Sequence, residues 1–224
     1  MVKEITLTIP TDWSGVTLKK YLTLQKDMKN YGDDEEAQTA LMLSHLCGLN
    51  AEYINSLSIE DYNTVRLTLE GFINNTEYPL QKIININGKE YGFEPNLSQM
   101  SYGAYVDISK FGQLTIDDNW PKIMSILYRP IVNKKGDMYT IEGYKGDIDD
   151  KLFLGVTMDV QFGALFFFVN LLTDLLSATL KYLKVTGLPP NIKSILEKSG
   201  EITKRLLNLQ TESTAASIGQ QNNP

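Results

Sequence analysis

The sequence predicts an α+β fold, mostly helical, with a small antiparallel sheet and one long apolar helix near its centre. Three observations carry that expectation. "VKEITLTIP" alternates in period two with Ile5, Leu7 and Ile9 on one face, the pattern of a half-buried strand, and Pro10 ends it. "KIININGKEYGF" sets Ile84 and Ile86 before Asn87-Gly88 and Tyr91 and Phe93 after it; Asn-Gly between strand-like runs favours a type I′ hairpin turn. Elsewhere apolar residues recur at three- and four-residue intervals, the helical period. The N-terminal strand and the hairpin together make a sheet of about three strands, the fewest that stand alone.

Each helix has its own signals. After "TDWSG", the residues Val16, Leu18, Tyr21, Leu22 and Leu24 form an apolar arc, with Ser14 as the expected cap. Asp33, Asp34, Glu35 and Glu36 stand at the start of the next helix, where negative charge complements the dipole, and Gly48 closes it. Asn50 and Ser58 are N-cap candidates for two more, and Ser58 and Asp61 have the spacing of a capping box. Short helices thus fill residues 16 to 74. Beyond the hairpin, "LSQMSYGAYVDISKFGQL" and "DDNWPKIMSILYRP" return to helix, with Pro121 in a first turn and Pro130 as a terminator. "IVNKKGDMYTIEGYKGDIDDK" reads as loop, with a short strand over Met138 to Glu142.

The most apolar stretch, Phe162 to Leu183, is long enough to cross a hydrocarbon core, which takes about 20 residues. Its polar residues argue otherwise. Asn170, Asp174, Ser177 and Lys181 form one helical stripe, which Gly163 and Asp159 extend toward the N-terminus. A carboxylate near the middle of a span costs about 2.5–3.5 kcal/mol. A buried helix with one polar edge is favoured, and a membrane span is the lesser alternative. Phe166, Val169 and Leu172 are then expected in the core, and Asp174 at solvent, a polar partner or a subunit interface. "TGLPP" breaks the helix, so the sequence divides into an α+β domain over residues 1–186, a C-terminal amphipathic helix over 187–210 and a tail over 211–224 with the composition of disorder. Ile192, Ile195, Leu196, Ile202, Leu206 and Leu209 give that helix an apolar side that needs a partner: another chain, which makes them the candidate partner-binding residues of an arm, or its own domain, on which the helix folds back.

Composition narrows the function. A mass of 25.3 kDa suffices for one substantial core. A charge of -6 and a pI near 4.9 disfavour nonspecific nucleic-acid binding. The start of the sequence lacks a signal-peptide pattern, and the one cysteine, Cys47, cannot form an intrachain disulfide; both suit the cytosol. His45 is the sole histidine, and it lies two residues from Cys47 on a helix, which turns the two side chains to different faces. Asp147, Asp149 and Asp150 cluster in "GDIDD" without the glycine and glutamate offsets of a calcium loop. No recognised catalytic motif is present, and neither enzyme activity, cofactor nor metal is expected. Tyrosine is abundant, and Tyr102, Tyr105, Tyr128, Tyr139 and Tyr144 gather in the second half. Tyrosine joins large area to a polar tip and so suits both interfaces and cores.

The order of pieces adds a resemblance. "LKKYLTLQK", "ALMLSHLCGLNAEYINSLSIEDYNTV", the hairpin in "INGKEYGFEPNLSQMSYGAYVDI", and "LYRP" with "IEGY" before an aromatic helix follow in turn. Over about residues 3 to 185 this pattern resembles small proteins of tailed-bacteriophage structural gene modules, in particular tail assembly chaperones. The resemblance implies a mostly helical, cofactor-free protein in the host cytoplasm. It implies binding of the tape-measure protein during tail morphogenesis, with self-association along it. The alternatives are a structural virion component, such as a connector or internal head protein with a C-terminal arm; a membrane-associated protein acting through residues 162–183; and a hydrolase using carboxylates near Asp147 to Asp150.

Overall fold

The computed structural model describes residues 8–32, 34–73, 78–97, 100–110, 115–146 and 149–171. They form an α+β structure in which helices pack on one four-stranded antiparallel sheet. The helices are α1 (Leu18–Met28), α2 (Glu35–Cys47), α3 (Ala51–Ser56), α4 (Ile59–Ile73), α5 (Tyr102–Lys110) and α6 (Trp120–Leu127). A further helix, α7, occupies residues 158–171. The strands β1 (Ile83–Ile86), β2 (Lys89–Phe93), β3 (Tyr128–Lys135) and β4 (Met138–Ile141) lie in sequence order across the sheet.

Local chemistry sets most boundaries. Asn50 and Ser58 accept backbone N–H bonds from Tyr53 and Asp61 at 2.9 and 3.0 Å, and Asp34 accepts one from Ala37. These bonds satisfy donors that a helix start leaves unpaired. Gly48 closes α2 with φ of 73°, a left-handed conformation that suits glycine. The first helix starts later than expected. Ser14 lies in a 3₁₀ turn, Trp13–Gly15, capped by Asp12, and Thr17 is the cap of α1. An Asn87-Gly88 turn, both residues at positive φ, joins β1 to β2 with Ile84 opposite Tyr91.

The sheet differs from the expected one. Residues 1–7, with Ile5 and Leu7, lie outside the described residues, and Ile9 packs on the core from a segment with no strand pairing. Of the remaining strands, β4 (Met138–Ile141) falls on the short strand expected over Met138 to Glu142, while β3 comes from a stretch read as helix end and loop. α6 stops at Leu127, and Tyr128 opens β3, whose first residues Tyr128–Pro130 pair with β2. Pro130 sits where the pairing of β3 changes from β2 to β4, since Ile131 is opposite Ile141. A proline cannot serve a full ladder on both sides, and this junction spares it that demand.

α6 is the most enclosed helix in the described structure, with Trp120, Pro121, Ile123, Met124, Ile126 and Leu127 all buried. A helix that is apolar nearly all round belongs inside a core. Trp120 donates from Nε1 to Gln161 Oε1 at 2.8 Å, so α7 is tied to α6 by a fully buried amide. The start of α7 is also held to α1. Leu18 donates to the Val156 carbonyl at 2.9 Å and Met158 to that of Val16 at 2.8 Å, on either side of a Thr17–Thr157 bridge.

Along α7 the aromatic run serves two clusters. Phe162 and Phe166 stack 5.8 Å apart beside Tyr78, and Phe162 also meets Trp13 and Tyr21 edge-on. Phe167 and Phe168 instead flank Phe93 on the sheet. Val169 is buried, as expected; Phe166 is only half-buried, because its ring covers Tyr78 at the rim of the cluster. The proposed polar edge is also corrected at its start. Gly163 is buried, and Asp159 accepts a bond from Gln81 Nε2 at 2.7 Å, so both face the 78–81 segment. Leu172, Asp174, Ser177, Lys181 and the boundaries at 186 and 210 lie outside the described residues.

Gly163 is where α7 touches another backbone. A Cβ there would lie 2.6 Å from the Pro79 carbonyl oxygen and 3.2 Å from its carbon. Backbone gives way poorly, so Gly163→Ala should destabilise by about 1–3 kcal/mol despite the gain in helix propensity. Urea unfolding read by circular dichroism checks this; an unchanged or raised midpoint would show that the segment moves freely.

Candidate functional site

Of the side chains that the sequence marked for possible chemistry, His45 and Cys47 are held where α1 and α2 meet. His45 Nε2 lies 2.9 Å from Asp27 Oδ2 and joins the ends of α1 and α2. Cys47 is half-buried, and burial raises its thiol pKa, with the charge of Lys20 pulling the other way. A raised thiol is a poor nucleophile at neutral pH. Asp149 and Asp150 start a 3₁₀ helix, Asp150–Gly155, while Asp147 lies outside the described residues. Among the described residues, no group of three or more histidines, cysteines and carboxylates could hold a metal ion. No helix among them is long and apolar enough to cross a membrane.

The tyrosines Tyr102, Tyr105, Tyr128, Tyr139 and Tyr144 divide by role. Tyr128 is core: it is buried between Phe93 and Phe153 and donates to the Gln81 carbonyl at 2.6 Å. Tyr139 reaches from β4 across the sheet and donates to the Phe93 carbonyl at 2.8 Å. Its ring and the Ile141 side chain occupy the space that a side chain at position 92 would need, which explains Gly92 in mid-strand. Tyr144 donates to Asp107 Oδ2 at 2.6 Å and fastens α5 beside the end of β4. Tyr102 and Tyr105, three residues apart on α5, are exposed.

Those two belong to a wider set of large apolar groups at the surface. Ile59 is 82% exposed, Tyr102 80%, Met138 73% and Val132 64%, and Leu67 and Tyr53 are also exposed. Single exposed apolar residues are ordinary, and a contact surface needs several side by side, as Ile59 and Leu67 are on one side of α4 and Val132 and Met138 are on the paired strands β3 and β4. The predicted partner-binding residues Ile192, Ile195, Leu196, Ile202, Leu206 and Leu209 lie outside the described residues. Sequence reasoning did not single out Ile59, Leu67, Val132 or Met138. Ile59 and Leu67 stand eight apart on one stripe of α4, but Val65 and Leu69 give that helix a competing apolar face, and those are the buried ones.

Two further buried polar features arise from the fold and have no local sequence signal. Arg129 and Glu94 form an ion pair whose side chains are only 12% and 10% exposed, and Arg129 Nη1 also donates to the Glu142 carbonyl at 2.8 Å. At the other side of the core, Tyr78 Oη and Asp159 Oδ1 are buried without a hydrogen-bond partner among the described residues. Burial, and then the carboxylates of Asp12 and Asp159, push Tyr78 up to about 12. Burial also carries Tyr21 up to about 12, against the bond from Gln25, and Tyr144 to about 12 with the help of Asp107.

These shifts fix the sign of an alkaline response. An unfolded tyrosine titrates near 10. Between there and about 12 the folded state holds protons that the unfolded state has lost, so stability falls with rising pH. Below that window these groups contribute no pH dependence. Unfolding midpoints should therefore hold between neutral pH and about pH 9.5 and decline above it, less steeply in Tyr78→Phe. An equal alkaline slope in that variant would remove Tyr78 from the account.

No protein-family model matches the chain, and neither a curated protein nor a solved structure matches it.

Proposed function

We propose that this is a cofactor-free protein of a tailed-bacteriophage structural module, an assembly chaperone that binds the tape-measure protein during tail morphogenesis. The phage assignment rests on the sequence resemblance over about residues 3 to 185. The observation that supports a role by contact is the exposed apolar surface of Ile59, Leu67, Tyr102, Tyr105, Val132 and Met138. Large apolar groups held at the surface suit a partner with an apolar side of its own, as an amphipathic helix has. The C-terminal residues Ile192, Ile195, Leu196, Ile202, Leu206 and Leu209 add a second contact segment in this reading, and the protein works in the host cytoplasm.

Mass spectrometry of purified virions tests the chaperone role. The protein should be abundant in infected cells and depleted from finished particles. Retention at a fixed copy number per particle would favour the structural alternative, a connector or internal head protein, and dismiss the chaperone.

A further inference from the structure

Asn87-Gly88 is the sole Asn-Gly pair in the sequence. A glycine sets no side chain against the carboxamide of the asparagine before it, so its backbone nitrogen can attack the side-chain Cγ. The new C–N bond closes a five-membered imide, the Cγ–Nδ2 bond breaks, and ammonia leaves. Water then opens the imide. Attack at Cγ gives aspartate; attack at the backbone carbonyl leaves the chain linked through the side chain, as isoaspartate. One water enters and one ammonia departs, with no oxidant or reductant. Asparagine is thermolabile for this reason.

The fold holds this pair out of reach of that reaction. Asn87 and Gly88 have φ of 53° and 81°, the central residues of a two-residue type I′ turn. In such a turn the Gly88 nitrogen lies nearly opposite the Asn87 Cβ about the Cα–C bond, whereas ring closure needs the two on the same side. The Gly88 N–H is also occupied, since it donates to Asn85 Oδ1 at 2.9 Å. The nitrogen attacks only after losing that proton, and a bonded N–H gives it up less readily. Pairing of Ile84 with Tyr91 and of Ile86 with Lys89 keeps the turn closed, and both isoleucines are buried. The two turn residues are exposed, so water is at hand once the ring can form.

We propose that Asn87 is a modification site gated by the fold: the closed hairpin protects it, with Asn85 as its guard, and opening of β1 from β2 releases it to conversion. Local opening has its own free energy, below that of global unfolding, so conversion accumulates slowly in a folded chain. Isoaspartate makes the event permanent. It adds a methylene to the main chain between residues 87 and 88, and a two-residue turn has no slack to absorb it while Ile86 stays opposite Lys89. A converted chain therefore carries a lasting record of having opened there. The site does not depend on the proposed function.

Peptide mapping by mass spectrometry tests this on the full chain, incubated at neutral pH with and without urea. In urea Asn87 should convert before any other asparagine, and at least about tenfold faster than in the folded protein. Asn85→Ala removes the guard at an exposed position; it should speed conversion of the folded protein at least about threefold and leave the rate in urea unchanged. Asn85→Asp keeps the acceptor and should keep the protection. Gly163→Ala, which weakens the fold away from the turn, controls for lost stability. The isoaspartyl fraction, separated by ion exchange, should unfold at lower urea than the unaltered chain. Equal rates with and without urea, or failure of Asn87 to convert first in urea, would overturn the proposal. An equal rise in Gly163→Ala, or in Asn85→Asp, would remove Asn85 as the guard. An unchanged midpoint for the isoaspartyl fraction would overturn the lasting record.

Discussion

Trp120→Ala should cost about 3–5 kcal/mol of folding stability, the range for removing a large aromatic side chain from a core that cannot collapse. Trp120 is fully buried at the head of α6, the helix with the least exposed surface among those described. The loss has a second part. Gln161 is itself fully buried, and its Oε1 would lose the indole N–H that lies 2.8 Å away. An unsatisfied buried acceptor costs about 1–3 kcal/mol, which overlaps with the cavity cost and does not simply add. Trp120→Phe keeps most of the volume and drops the donor, so it should fall between the variant and the unaltered chain. Trp120→Phe combined with Gln161→Leu should be more stable than the sum of the single changes predicts, since both polar partners leave together. Urea unfolding with an unchanged slope is the measurement. Strict additivity would show that the hydrogen bond contributes nothing.

Arg129→Met should cost about 3 kcal/mol or more, because it strands Glu94 at a site where only 10% of its side chain meets solvent. The guanidinium also holds the Glu142 carbonyl just past the end of β4, so the β3–β4 pair loses an anchor. Burying an ion pair is itself costly, and an apolar pair of similar volume often does as well. Arg129→Met with Glu94→Leu should therefore recover most of the loss. If the double variant is no more stable than Arg129→Met alone, the destabilisation comes from the lost Glu142 contact and not from the stranded carboxylate.

What could be read in advance was mostly local. Asn50, Ser58 and Gly48 act within four residues of their own position, and Asn87-Gly88 carries its turn in its own backbone preferences. β3 was not legible for three physical reasons. Its first residue follows a buried helix without a break, so "SILYRP" continues a helical pattern. Pro130 argues against a central strand and is accommodated only because the pairing changes there. The outer part of β3 is exposed on both faces, and a strand with no buried side shows no alternation. Gly163 and Asp159 fell on the spacing of a polar stripe, yet a glycine at that spacing is equally a place for close backbone contact. Gln161 gave no signal at all, because its partner Trp120 is 41 residues away and only the fold brings them together. The candidate surface was harder still. Exposure of Ile59, Val132 and Met138 depends on which faces other elements cover, and that is a property of the assembled chain.

The central claim is that the protein works by holding a long apolar-rich partner during tail assembly. Its most direct test is co-expression with the tape-measure protein of the same genome, followed by size-exclusion chromatography with light scattering. The account predicts that the tape-measure protein stays soluble and elutes with several copies of this chain, and that Ile59→Asp with Met138→Asp reduces the number bound. A tape-measure protein that precipitates to the same extent with or without this chain, while the chain elutes alone, would contradict it.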